Sequence, residues 1–139
     1  MKLSLKSDYA TRAVLALARH HHTRRAQPAA LLAQSQAIPA KYLVQILLQL
    51  KAHGIVRSVR GKDGGYLLAR PPKEITFGEV LRCVHGLVFD TAALANSNCP
   101  AELQATWRQL QETLDDTANA ITFQDLLDRE IPDEPMYYI

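Results

Sequence analysis

The amino-acid sequence predicts a mainly α-helical protein with one small β-hairpin and a long helix towards its C-terminal end. Apolar residues recur at steps of three and four through much of residues 5–54, as they do in amphipathic helices. A glycine-rich segment at residues 61–65 separates two short apolar segments, which is typical of a hairpin turn. From residue 99 onward the apolar residues follow a heptad pattern, which indicates a helix that packs lengthwise against another.

Three helices are predicted before the hairpin. The first runs from Leu5 to about His20. The second is short: Pro28 suits its first turn, and it ends before Pro39 because the residue that precedes a proline is disfavoured in the helical region. The third begins at Pro39 and ends at Gly54, since glycine readily adopts the left-handed conformation that follows a helix.

The hairpin joins residues 55–60 to residues 66–70 and follows the third helix directly. Three helices followed by a hairpin is the element order of a winged helix-turn-helix, in which the third helix is the recognition helix and the hairpin is the wing. The sequence therefore predicts a DNA-binding fold in the first half of the chain.

Three more helices are predicted in the second half. Thr76 and Glu79 form a capping-box pattern that starts the fourth helix. Residues 87–98 show no clear period and are predicted to be a loop. The long fifth helix carries an apolar seam at heptad spacing, formed by Leu103, Trp107, Leu110, Leu114, Thr117 and Ile121. Thr122 and Asp125 form a second capping-box pattern, which predicts a last short helix.

Charge is divided unevenly along the chain, although the net charge is only +2. Residues 1–73 contain thirteen Lys and Arg against two carboxylates, a net of +11, and residues 74–139 contain three Arg against twelve carboxylates, a net of −9. A basic half is suited to binding a polyanion, and an acidic half is suited to staying away from it. Two ordinary solvated faces are the alternative interpretation.

Composition argues against several other classes. No apolar run approaches the roughly 18 residues of a membrane span and the start lacks the apolar core of a signal peptide, so a cytoplasmic protein without membrane contact is expected. Two cysteines, Cys83 and Cys99, are too few for a disulfide framework. An enzyme is not expected, since no nucleophile–base spacing or metal motif is recognisable.

Six side chains on the third helix and the wing are the candidate DNA contacts: Lys41, Tyr42, Gln45, Arg57, Arg60 and Lys62. The first turns of a recognition helix lie nearest the bases, where Lys41 can contact a phosphate or guanine and Gln45 can pair with adenine. On the wing, glycines let the backbone approach a phosphate, and Arg60 lies at the strand end, where a narrow minor groove attracts arginine. A merely solvated helix face is the alternative for Lys41 and Gln45.

Several segments together resemble one family. They are Lys2-Leu3-Ser4, Asp8-Tyr9-Ala10, Ile38-Pro39, Tyr42-Leu43, Gln45-Ile46-Leu47, Gly54-Ile55-Val56-Arg57-Ser58-Val59-Arg60-Gly61 and Gly64-Gly65-Tyr66-Leu67-Leu68-Ala69. The pattern is similar to that of the IscR, NsrR and CymR group of bacterial winged-helix regulators, and the likeness extends to about Leu127. It implies a homodimer on a palindromic operator in double-stranded DNA, with the long helix from Cys99 crossing its partner. From the seam alone, that helix could equally pack onto its own domain. Val44 stands where relatives often have glutamate, which implies a different base preference.

The resemblance also implies a sensor. Many members carry three cysteines before the long helix, and these ligate an iron–sulfur cluster. Cys99 matches the third of them and the other two are absent, so the cofactor is unknown and a cluster is only one candidate. Asp8 matches an acidic ligand on the first helix of nitric-oxide-sensing members, and Glu102 stands where other members have a histidine ligand. Cys99, Asp8 and Glu102 are therefore the candidate metal or redox site.

The neighbours of Cys99 suggest a role for it independently of the family. Cys99 precedes Pro100 and is expected at the N-cap of the long helix, with Glu102 at the third helical position, where the helix dipole favours a thiolate. It is then either the reactive or ligating residue or a plain cap. Cys83, inside the fourth helix, is expected to be a buried structural thiol. Histidines 20–22 point in different directions on a helix, so they are expected to end the first helix rather than bind metal.

The predicted organisation has four parts. Residues 1–73 form a winged-helix DNA-binding domain, residues 74–98 a connecting helix and sensor loop, residues 99–131 a dimerisation helix and the last short helix, and residues 132–139 a tail. The predicted dimer contacts are Leu103, Trp107, Leu110 and Leu114. The expected function is transcription regulation, as in a repressor, with a redox, iron or thiol-linked signal read near Cys99. The alternative is a cluster-free winged-helix protein that acts through a partner protein.

Overall fold

The computed structural model describes residues 4–86 and 92–129, and within them the chain forms helices and one antiparallel hairpin in the predicted winged-helix order. The elements are α1 Leu5–Arg19, α2 Ala29–Gln36, α3 Ala40–Ala52, β1 Val56–Val59, β2 Gly65–Leu68, α4 Phe77–Val84, α5 Ala101–Ala120 and α6 Phe123–Asp128. None of the described helices is both long and apolar enough to cross a bilayer. The predicted tail, residues 87–91 of the predicted loop, and Lys2 and Leu3 lie outside the described residues.

The three N-terminal helices have nearly the predicted limits. α1 ends at its cap residue His20, and the other two histidines lie in the 3₁₀ turn that follows. Gly54, with φ of 72°, follows the C-cap of α3. Pro28 and Pro39 are the N-cap residues of α2 and α3 and do not lie in the first turns, because their ψ angles of 139° and 130° are extended.

The wing is the antiparallel pair β1–β2, in which Arg57 lies opposite Leu67. A third segment joins this pair. The Gln27 N–H donates to the carbonyl of Tyr66 at 2.7 Å, and the Tyr66 N–H donates back at 2.8 Å. Gly65 permits this approach, because a Cβ at that position would overlap the carbonyl of Gln27. The segment before α2 therefore acts as a one-residue third strand that ties the wing to the helices.

One apolar core joins the helices to the inner face of the wing. Its largest fully buried side chains include Val14, Leu17, Leu43, Ile46, Leu47, Leu50, Ile55, Ile75, Val80 and Phe123. Phe123 of α6 packs against Phe77 of α4, with ring centroids 6.1 Å apart. The last short helix therefore contributes to the same core as the recognition helix.

An isolated β-bridge between Thr76 and Thr122 joins the start of α4 to the end of α5. Its backbone hydrogen bonds run from Phe77 N–H to Ile121 O at 2.7 Å and from Phe123 N–H to Ile75 O at 3.0 Å. This pairing fixes the end of the long helix to the segment that follows the wing.

Both predicted N-caps form, one of them only in part. Thr122 and Asp125 make the complete capping box, with hydrogen bonds of 3.0 and 2.9 Å. Thr76 accepts a hydrogen bond from the Glu79 N–H at 3.1 Å. The Glu79 carboxylate, however, pairs with the guanidinium of Arg70, which binds a carboxylate more strongly than a backbone N–H does.

α5 begins one residue later than predicted. Pro100 has an extended ψ of 142° and is itself the N-cap, so Cys99 lies one residue before the cap. The prediction that Cys99 caps the helix is wrong for this reason. Glu102 consequently occupies the second helical position, not the third.

α5 packs against α4 near its C-terminal end. Ala118 is buried there, and Gly78 permits the close approach because a Cβ on it would overlap the side chain of Asn119. The apolar seam lies to one side of this contact. Leu103 and Leu110 are 50% and 46% exposed, whereas Trp107, Leu114 and Ile121 are partly buried, so the described part of the chain covers the seam only in part.

Candidate nucleic-acid interface

α3 has one buried face and one exposed face. The buried face is made of Leu43, Ile46, Leu47 and Leu50. The exposed face is made of Lys41, Tyr42, Val44, Gln45 and Leu48. Three of the predicted DNA contacts thus lie together on the outer side of the first two turns, which is the part of a recognition helix that contacts bases.

Side chains of α1 brace the start of α3. The ring of Tyr9 lies 6.4 Å from the ring of Tyr42, and the Arg12 guanidinium lies over Tyr9, 5.8 Å from its centroid. Arg12 also pairs with Asp8 at 2.7 Å and donates to the carbonyl of Gln36 at 3.5 Å. Tyr9 and Arg12 were not among the predicted site residues. The spacing of Asp8 and Arg12, four apart on a helix, was the available signal.

The wing carries three exposed basic residues, Arg57, Arg60 and Lys62. Arg60 follows the last residue of β1 and Lys62 lies in the turn, so both are at the tip, whereas Arg57 is in mid-strand. Gly61 has a φ of 105°, and a Cβ on Gly64 would overlap a carbonyl oxygen of β1. The tip is therefore compact enough to approach a phosphodiester with two cations at its edge.

Comparison with known proteins decides the family. The Rrf2 family model, described as an iron-dependent transcriptional regulator, matches residues 3–129. The chain belongs to the Rrf2 family. The HTH-type transcriptional regulator IscR of Erwinia tasmaniensis is 34% identical to it over 134 residues, which are 94% of this chain and 81% of that protein.

Solved structures share the same fold. IscR of T. potens matches with a TM-score of 0.79 and 27% identity, covering 99% of this chain and 97% of that one. CymR of B. subtilis, the global cysteine regulator of that organism, matches with a TM-score of 0.84 over 94% of this chain and 99% of that one, and its 24% identity supports the fold alone. This Rrf2 protein is therefore a DNA-binding transcription regulator of winged-helix fold, and its relatives are regulators rather than enzymes.

The iron dependence in the description of the Rrf2 family calls for a test of whether a cluster fits. Clusters are ordinarily held by several thiolates or imidazoles, and Cys99 is the single cysteine near the start of α5. In residues 4–86 and 92–129, no three His, Cys, Asp or Glu side chains are grouped as a metal site, and Asp8 is paired with Arg12. The donors among these described residues do not fit a cluster. The site of Cys99, Asp8 and Glu102 stays a prediction.

Cys83 lies in α4, as predicted, and its surroundings fit a structural role. Its half-buried thiol packs against the core and donates to the carbonyl oxygen of Gln49 on α3 at 3.4 Å. Burial raises the pKa of the Cys83 thiol, an effect that Lys6 opposes and Glu79 reinforces. Because the thiolate is the reactive form, Cys83 is a poor nucleophile near neutral pH.

Proposed function

We propose that this Rrf2 protein binds a palindromic operator as a homodimer, with α3 in the major groove and the wing tip in the neighbouring minor groove. The observation that supports this most is the exposed face of α3. Lys41, Tyr42 and Gln45 project from a helix whose opposite face is anchored in the core, and a rigid support of that kind holds base contacts in position.

Each part of the surface has its own role in this proposal. Gln45 pairs with adenine through its amide donor and acceptor, and Lys41 contacts a phosphate or guanine. Arg60 enters the minor groove, while Lys62 and Arg57 contact phosphates and set the orientation of the domain.

The open seam of α5 supports the dimer. Leu103 and Leu110 are about half exposed, and Trp107 and Leu114 lie partly buried beside them. An apolar stripe at this spacing fits a helix from a second copy. Two copies would place two recognition helices on half-sites about 34 Å apart, one turn of DNA.

The signal is assigned in this proposal to Cys99, which is partly exposed and lies just before the N-cap of α5. A redox, iron or thiol-linked change there acts on the helix that joins the two copies. Cys99→Ser should abolish the response of DNA binding to oxidant or iron and leave the affinity of the untreated protein intact. Cys83→Ser is the matched control and should keep the response. A response that survives in Cys99→Ser contradicts the assignment.

The salt dependence of DNA affinity tests the DNA-binding surface. Titration of a palindromic duplex should give a steep fall of log affinity with log salt, with a slope of about −0.9 for each phosphate contact. Arg60→Ala should reduce the affinity roughly tenfold. Arg108→Ala, which removes an exposed arginine from the acidic half, should change the affinity little. A flat and weak salt response, or equal effects of the two variants, contradicts the proposal.

A second candidate function is docking of a partner protein on the same face. Tyr42, Val44 and Leu48 are 57%, 45% and 54% exposed, an unusual apolar content for a helix that contacts only DNA. Val44→Glu and Leu48→Glu separate the two functions. Under the DNA proposal, Leu48→Glu, further from the first turns, changes affinity less than Gln45→Ala. Under the docking alternative, both glutamate variants abolish partner binding while Gln45→Ala does not.

A further inference from the structure

A groove lies on the outer face of the wing, at its base. It encloses about 230 Å³ between β1–β2 and the 3₁₀ turn that follows α1, and its polar walls are His21, Arg24, Arg57 and Arg70. We propose that this basic groove holds a backbone phosphate of DNA that flanks the operator, so that Arg24 lengthens the DNA contact beyond α3 and the wing tip. This inference rests on the proposed function.

The pleat of the wing directs Arg57 into the groove. Val56 and Leu68 face the apolar core, whereas the neighbouring pair Arg57 and Leu67 faces the opposite side. Leu67 is only 7% exposed, although it lies outside the main core, and it forms part of the apolar lining beneath the arginines.

The backbone of Arg24 supports a role for its side chain. Arg24 has φ of 57° and ψ of 19°, in the left-handed region that favours glycine or asparagine. The turn is held in this form because Arg24 N–H donates to the carbonyl of His21 at 3.1 Å, and the Thr23 hydroxyl donates to the carbonyl of His20 at 2.8 Å. The left-handed residue ends the 3₁₀ turn, and its side chain lines the groove.

The two sides of the groove differ in available charge. The Arg70 guanidinium pairs with Glu79 and donates to the carbonyls of Glu74 and Gly54, so it builds the wall and its charge is neutralised. Arg24 and Arg57 are exposed and have no ion-pair partner in the part of the chain that the structure describes. Two unpaired guanidiniums match the oxygens of a phosphate, which they can bind in a bidentate manner.

The position of the groove favours DNA over other sources of phosphate. Arg57 lies on the same strand that leads to Arg60 at the wing tip, three residues away, which corresponds to about 10 Å and to the rise of three base pairs. The proposal has the duplex that meets Arg60 at the tip run along the side of the wing that Arg57 faces, towards the base of the wing, where it passes the groove. His21 also lines the groove.

The test compares two lengths of duplex. A palindromic duplex is selected by the wild-type protein from a random pool, then prepared as the palindrome alone and with ten further base pairs on each side. Arg24→Gln should lower affinity for the long duplex roughly fivefold or more and reduce its salt slope by about one per subunit. Its affinity for the short duplex should change less than twofold. Arg25→Gln, which removes the neighbouring arginine outside the groove, is the matched control and should resemble the wild type on both duplexes.

A second variant separates folding from binding. Arg24→Gly relieves the left-handed backbone, so its melting temperature should equal or exceed that of the wild type while its affinity for the long duplex falls as in Arg24→Gln. Unchanged affinity of either variant for the long duplex overturns the inference. Equal loss on both duplexes also overturns it, because the groove would then contact the palindrome itself. Unchanged affinity for the long duplex, with inorganic phosphate bound by the DNA-free protein, would assign the groove to small anions. Failure of Arg60→Ala to weaken either duplex contradicts the proposed function itself.

Discussion

The winged-helix part and α5 differ in how much of their apolar surface is backed by a core. In the winged-helix part, the apolar faces of α1, α3 and the wing meet in one core with fully buried leucines and isoleucines. In α5, Leu103 and Leu110 stay about half exposed, and Ala118 is the buried residue. α3 also exposes Tyr42, Val44 and Leu48 on its outer face, but its opposite face lies in a complete core, whereas α5 buries only Ala118. Exposed apolar surface is typical of interaction sites, and each of the two surfaces has a partner in the proposed function.

The distribution of charge also differs between the winged-helix part and α5. The basic residues are concentrated in residues 1–73, while the helix with the open seam lies in the acidic half. Carboxylates around α5 repel phosphates. DNA is therefore expected to bind the basic residues of the first half and not α5.

The largest effect is expected from Phe123→Ala, which tests where the winged-helix part ends. Phe123 is fully buried against Phe77, so its removal should lower the free energy of unfolding by about 3–5 kcal/mol. Urea titration of the full chain measures this change. Gln124→Ala, on the next position of α6, is the control and should stay within about 0.5 kcal/mol. A loss below about 1 kcal/mol for Phe123→Ala would show that α6 is not part of the core.

Leu110→Asp tests the open seam of α5. A charge in the middle of an apolar interface should separate the two copies and, by loss of the second half-site, weaken operator binding about a hundredfold. Sedimentation and DNA titration measure the two effects. Ala105→Asp places the same charge on the opposite side of the exposed helix and should leave both unchanged. A dimer that survives Leu110→Asp would locate the interface elsewhere.

The reactivity of the Cys83 thiol tests whether this cysteine lies in the core, unlike Cys99 just before the start of α5. In a Cys99→Ser protein, alkylation of Cys83 should have a pH profile whose midpoint lies above that of the urea-unfolded chain, because burial raises the pKa of Cys83. Each unit of pKa corresponds to about tenfold less thiolate at a given pH below the midpoint. A midpoint equal to that of the unfolded chain would contradict the structural assignment of this residue.

The smallest effect is expected at the capping box of Thr122 and Asp125, which lies between α5 and α6. Hydrogen bonds from the backbone and side chain of Thr122 lower the pKa of Asp125. A lowered folded-state pKa means that the stabilisation is present above the pKa of the unfolded chain, about 3.9, and is lost as pH falls through the folded-state value. The difference in melting temperature between wild type and Asp125→Asn should therefore shrink from about pH 7 to about pH 2. A constant difference would indicate that the carboxylate charge does not contribute.

Local signals in the sequence were sufficient for most of the fold. The periodicity of α1 and α3, the glycines of the wing and the Thr122–Asp125 pair each act within a few residues, so their spacing predicts them directly. The error at Cys99 arose because a cap depends on one backbone angle, the extended ψ of Pro100, and the sequence admitted proline on either side of the helix start.

Contacts between distant residues were not predictable in the same way. The Gln27–Tyr66 and Thr76–Thr122 bridges involve single residues, which have no period of their own. The candidate DNA contacts on α3 followed from the exposed side of a predicted helix. The brace formed by Tyr9 depends on the angle at which α1 crosses α3, which only the packed core determines.

The bridge between Thr76 and Thr122 attaches the C-terminal end of α5 to the rest of the fold. The helix is about 30 Å long for its 20 residues, and its C-terminal end is fastened to α4 beside Gly78. Cys99 lies just before the opposite end of the helix. A tilt of about five degrees about this attachment displaces the Cys99 end of the helix by about 2.5 Å and the Ala118 end by a fraction of that. In the proposed sensing role, chemistry at the Cys99 thiol would therefore move the far end of a helix whose other end is attached to the DNA-binding fold.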